Sequence, residues 1–187
     1  MPVVSTEQGY GAVTKVLHWV TLLLLVAQFV LGYGMEGFAE SLFEEDSSGH
    51  GHGGDRTRAG DDQLVFAHAW LGAAILAVGV ARLVWRWSTP LPAWSERLTS
   101  LDRSIEAWVE KILYVTLFVI PLSGMGLLFL SGKERELADR RKWLPPFDVV
   151  SDDLMLGAHI AGHVTFYAAL VMHVGLALRR RTLTRML

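Results

Sequence analysis

The amino-acid sequence predicts an all-α membrane protein: a single domain, residues 1–187, folded as a bundle of four transmembrane helices with both termini cytoplasmic. Three observations predict it. The chain is 51% apolar with a mean hydropathy of +0.33, too greasy for a soluble domain of this length. Four runs, 14–35, 64–87, 108–131 and 154–178, reach the ~20 mostly apolar residues that a spanning helix needs. Five of the seven histidines lie inside those runs, where ionisable side chains are costly and face the bundle interior.

The first run is too long for the apolar part of a signal peptide and has no small-residue cleavage site, so it is expected to be a retained span. The loop after it, 36–63, opens acidic with Glu36, Glu40, Glu44, Glu45 and Asp46, and FAESLFEE within it suits a short amphipathic surface helix. The loop then passes into SSGHGHGGDRTRAGDD, whose glycine-rich middle reads as flexible. The second run ends where Pro90 and Pro92 forbid helix. Segment 98–111, of mixed charge, reads as a helix leading into the third run, where Pro121 with Gly124 and Gly126 predicts a kink. Trp85, Trp87, Trp94 and Trp108 gather at this boundary as an aromatic belt would. Loop 132–153 is polar, with Trp143-Leu144-Pro145-Pro146-Phe147 at the interface. The fourth run carries His159, His163 and His173 and closes on Arg179-Arg180-Arg181. Helices are the expected element throughout, because backbone polar groups in lipid must be satisfied within each segment.

Loop charge sets the orientation. With the N-terminus inside, the inner segments hold ten basic residues, Lys15, Arg82, Arg86, Arg97, Arg103, Lys111, Arg179, Arg180, Arg181 and Arg185, against seven outside. The absence of cysteine removes iron–sulfur clusters, thiolate-held and c-type haem, and disulfides. A net charge of −2 points away from nucleic acid. His50 and His52 lack the further ligands and rigidity of a metal site.

The histidines carry the chemistry. His159 and His173, fourteen residues apart, return to within about 40° of one helix face and stand about 21 Å apart along it. In the predicted orientation His18 lies one turn into the first helix, at the depth of His173. His68 lies one turn into the second, at the depth of His159. Two cross-helix bis-imidazole pairs at two levels suit two haems held within a bundle core. With both axial positions filled by protein, each iron is suited to electron transfer. Zinc would want additional ligands that are missing at these depths.

In Tyr10-Gly11-Ala12 with Leu17-His18-Trp19, His68-Ala69-Trp70-Leu71-Gly72 with Arg82-Leu83, Ile120-Pro121-Leu122-Ser123-Gly124, and His159 with His173, the chain resembles the prokaryotic cytochrome b561 family. These are four-helix dihaem b-type cytochromes of the inner membrane, and the resemblance covers nearly the whole chain. It implies that His18 and His173 hold an inner haem b, His68 and His159 an outer one, and that the third helix supplies no ligand. It also implies exchange of electrons with the quinone pool, and for some members superoxide oxidation coupled to quinone reduction. The acidic loop 36–63 would repel superoxide and suits a basic periplasmic redox partner. That loop is longer and more acidic than is usual in the family, and His163 is not one of its ligand positions.

Arg82, fourteen residues after His68, is placed to meet a propionate of the inner haem, or to anchor the helix at the membrane surface. His163 is expected to bond a propionate or handle protons near a quinone. Gly72 and Gly79 allow close approach of a porphyrin or a neighbouring helix, and Gln28 suits a hydrogen bond between helices. The leading expectation is transmembrane electron transfer between the quinone pool and a periplasmic-side donor or acceptor, at the bacterial inner membrane. The alternatives are a haem-bearing anchor subunit of a larger complex, and a quinone-linked oxidoreductase of the superoxide type.

Overall fold

The computed structural model describes residues 3–6, 9–33, 54–130 and 150–186, for 54–62 the backbone alone. Four helices carry these segments: α1 (Ala12–Tyr33), α2 (Gly54–Ser88), α3 (Ser100–Leu130) and α4 (Asp152–Arg179), then a 3-10 turn at Leu183–Arg185. Each holds a stretch long and apolar enough to cross a membrane: Ala12–Gly32, Gln63–Ser88, Ser100–Leu130 and Asp152–Arg179. The chain is therefore a four-helix membrane bundle. Most of loop 36–63, including FAESLFEE, His50 and His52, lies outside the described residues, as does nearly all of loop 132–153.

Two helices outrun their apolar cores. α2 begins at Gly54, inside the segment expected to be flexible, and α3 absorbs most of the mixed-charge stretch 98–111. Adding a residue to an existing helix costs far less than nucleating one, so helix continues beyond the apolar part. α3 is unbroken across Pro121, which is buried. Its start is fixed by a capping box. The Thr99 amide and hydroxyl donate to Asp102 Oδ2 at 2.9 and 2.7 Å, and the Asp102 amide donates back to Thr99 Oγ1 at 3.2 Å. α4 ends in a Schellman motif. The Thr182 amide bonds the Ala177 carbonyl at 2.9 Å and the Arg181 amide bonds Leu178 at 3.1 Å, with Arg181 at φ 53.

Burial is inverted relative to a soluble protein. Val16, Leu23, Val30, Val84, Val115, Val164 and Val171 are exposed, while Thr21, Gln28, Thr116 and Ser123 are buried. Apolar side chains turned outward suit lipid, and the buried hydroxyls bond backward to carbonyls of their own helices. Trp87, Trp94 and Trp108 are exposed at one boundary, where the aromatic belt was expected.

Packing between the helices is uneven. α3 lies against α4 most extensively, α1 against α2, and α2 against α3. Glycines set the α3–α4 approach: a Cβ on Gly126 would stand 2.6 Å from Met155 Sδ, and one on Gly162 2.8 Å from Ile120 Cγ1. The pairs α1–α4 and α2–α4 are not among the closely packed ones.

Candidate functional site

The chain termini meet at one end of the bundle. Trp19 Nε1 donates to the Met186 carbonyl at 3.0 Å, Arg185 reaches the Ala93 carbonyl at 2.8 Å, and Arg97 the Arg181 carbonyl at 3.0 Å. Relative to this terminal end, the histidines form two levels. At the terminal level the rings of His18 on α1 and His173 on α4 lie 6.5 Å apart between centres. At the far level the rings of His68 on α2 and His159 on α4 lie 6.4 Å apart. These are the two cross-helix juxtapositions expected from depth.

The separations can be compared with the size of the group they would hold. Imidazole nitrogen binds a first-row metal at about 2.0 Å and the ring centre lies about 1.1 Å beyond, so two rings on opposite sides of one ion would stand about 6.2 Å apart. Both observed separations fit. The helices that carry the facing rings are not among the closely packed pairs, although Phe29 of α1 stacks on Tyr167 of α4 at 5.0 Å. At the far level a cavity of about 180 Å³ is lined by His68, His159, His163, Gly72, Gly124 and Phe29 among others. Among the described residues no three histidine, aspartate or glutamate side chains converge as zinc would require.

Each ring at the far level has a defined orientation. His159 Nδ1 lies 2.8 Å from the Ile120 carbonyl and 3.2 Å from Ser123 Oγ. The carbonyl can only accept, so Nδ1 carries the proton and Nε2 the lone pair, the form in which an imidazole can bind a metal. Gly124 makes this possible, since a Cβ there would come within 3.0 Å of His159 Cε1. His163, one turn along α4, brings its Nε2 to 3.2 Å from His159 Nε2 and packs beside Phe29 at 5.9 Å. In this arrangement the His159 Nε2 lone pair accepts from His163, a bond that a metal on Nε2 would replace. On the opposite side Gln28 Nε2 lies 2.9 Å from His68 Nε2, so the expected interhelical contact of Gln28 is made to this histidine. Gly72 borders the cavity, with Gln28 and Pro121 as its neighbours, whereas Gly79 abuts Leu117 and serves helix packing.

The terminal level is charged. Glu106 Oε1 lies 2.6 Å from His173 Nδ1. One turn on, Glu110 pairs with Arg86 through both oxygens, at 2.9 and 3.0 Å. Arg82 lies over the Tyr114 ring at 5.6 Å and is in no ion pair with a described residue. Just before α1, Tyr10 has Arg185 over its ring at 5.8 Å. Burial, and next the Glu110 carboxylate, push its phenol above the ordinary range. Glu106 has no place among the sequence-derived site residues, because the mixed charge of 98–111 marks that stretch as a helix leading into the third run.

A family model described as prokaryotic cytochrome b561 matches residues 9–187. No curated protein and no solved structure matches the chain.

Proposed function

Because the chain belongs to the prokaryotic cytochrome b561 family, a family of haem b proteins that carry electrons across membranes, we propose that it does so through two haems at the two levels described. His18 and His173 ligate the terminal-level haem, and His68 and His159 the far-level one. The observation that carries this reading is the pair of facing ring separations, 6.5 and 6.4 Å, on helices that are not closely packed against each other. Bound between two imidazoles, haem supplies a reversible one-electron couple with no open coordination position.

The protein's own groups orient and balance that couple. Ile120 and Ser123 hold the His159 ring by Nδ1, which leaves Nε2 as the nitrogen that would bind iron in exchange for its contact with His163. Arg82, with no ion pair of its own among the described residues, takes a propionate at the terminal level. His163 stands beside the far-level ligand, its ring centre 4.7 Å from that of His159. The terminal end is cytoplasmic, in keeping with the excess of basic residues on that side, and the membrane is the bacterial inner membrane. Electrons then pass between the quinone pool and a redox partner on the periplasmic side, with loop 36–63 as the acidic docking element.

The test is haem content per polypeptide, with the reduced-minus-oxidised spectrum, for the purified protein and four single variants. His18→Ala and His173→Ala should each lose one haem, and His68→Ala and His159→Ala the other. A protein without a b-type difference band, or a His163→Ala variant that loses a haem while His159→Ala does not, overturns the assignment.

A further inference from the structure

The two ligands on α4 have different partners behind them, and both partners come from α3. His159 stands against Ile120 and His173 against Glu106, so each pair is separated by the same fourteen residues along its helix. Two antiparallel helices in close contact keep such a register, and α3–α4 is the most extensive contact in the bundle. α3 thus presents one acceptor to each ligand. At the far level it is a neutral backbone carbonyl, 2.8 Å from Nδ1. At the terminal level it is a carboxylate, 2.6 Å from Nδ1. His173 Nδ1 is buried and makes no well-angled hydrogen bond, so Glu106 is the acceptor toward which this ring must turn once its other nitrogen is held by a metal.

We propose that Glu106 is a positioning residue for the terminal-level haem. By accepting the Nδ1 proton of His173 it fixes the tautomer that leaves Nε2 for iron, and its negative charge lowers the reduction potential of that haem. A carboxylate behind an imidazole raises ligand basicity more than a carbonyl does, because it draws the Nδ1 proton toward itself and leaves more electron density on the ring. Electron density given to iron stabilises the ferric form, which carries the extra positive charge. The nearby cations do not cancel this contact: Arg86 is held by both oxygens of Glu110, and Arg82 lies over Tyr114. The inference rests on the ligand assignment under Proposed function.

The test is a redox titration of the purified full-length protein followed by haem absorbance, for wild type, Glu106→Gln and Glu106→Ala, with the ferric low-spin electron paramagnetic resonance signal recorded alongside. Glutamine keeps an acceptor without charge, and alanine removes both. The terminal-level midpoint should rise in the order Glu, Gln, Ala, by at least tenfold in the ferric-to-ferrous ratio for Ala, which is 59 mV for a one-electron couple. The far-level midpoint should stay where it was. Repeating the titration in a His68→Ala background, which keeps the terminal-level haem, identifies the midpoint that moves. If alanine loses that haem while glutamine keeps it with a raised midpoint, the positioning role stands. Unmoved midpoints in variants that retain both haems overturn the proposal, and so does loss of the haem in both variants, which would make the contact structural. A wild-type protein without two haems instead defeats the assignment on which the proposal rests.

Discussion

At the far level of the bundle, His159 on α4 sits in a neutral and close-fitting setting: the Ile120 carbonyl and Ser123 hydroxyl at Nδ1, Gly124 against its ring and His163 at Nε2, while Gln28 meets the facing His68. At the terminal level the equivalent histidine is backed by Glu106, in a layer that also holds Glu110, Arg86 and Arg82. The ring separations are nearly the same, 6.4 against 6.5 Å. What differs is the control. The far level is governed by volume and the terminal level by charge, so the same kind of substitution should act differently at each.

The largest expected effect is complete loss of one haem from a histidine-to-alanine variant at its own level. The next separates the two levels by volume. Gly124→Val places carbon where a Cβ alone would already crowd the His159 ring at 3.0 Å, and that ring is held in place by its contacts with Ile120 and Ser123. Haem content should fall by roughly half, the far-level share, with the terminal-level spectrum retained. An equal loss at both levels would show that Gly124 serves general α3–α4 packing. A smaller effect tests charge. Arg82→Leu should weaken retention of the terminal-level haem about tenfold in a transfer assay to apomyoglobin, the order expected for one charge-assisted hydrogen bond. The far-level haem should be untouched. Unchanged retention would make Arg82 a surface anchor.

The bundle itself was legible in the sequence because spanning a bilayer is a matter of length and apolarity, and each of the four runs has both. The cross-helix histidine pairs were legible because helix rise converts sequence position into depth. Two kinds of feature were not. The ends of α2 and α3 escaped, since helix propagates past the apolar boundary by which the spans were recognised. Glu106 escaped because the same boundary placed it outside the membrane. The signal was nevertheless present: Glu106 precedes Ile120 by the spacing of His159 and His173, so an antiparallel α3 aligned on Ile120 brings a carboxylate to His173. Reading it required knowing which helix packs against α4, and that depends on side-chain shapes such as Gly126 against Met155.

The smallest effect concerns what holds the terminal level in place. Glu106 lies one turn beyond Asp102, at the capped start of α3, and Arg180 at the end of α4 reaches Asp102 Oδ2 at 2.6 Å. The cap and the ion pair therefore fix the register of α3 and α4 where Glu106 must meet His173. Thr99→Ala removes the side-chain half of the capping box and should cost about 1 kcal/mol. For a chain of this length that amounts to a fall of roughly 2–4 °C in the thermal midpoint. Because the cap is at one end, the terminal-level haem should be released first when absorbance is followed during heating, with the far-level signal persisting to the wild-type temperature. Simultaneous release would mean that the bundle unfolds as one unit and that the cap stabilises all of it. Earlier release from the terminal level alone would show that α3 holds its two acceptors independently, one by helix packing around Gly124 and the other by the electrostatic fastening of its first turn.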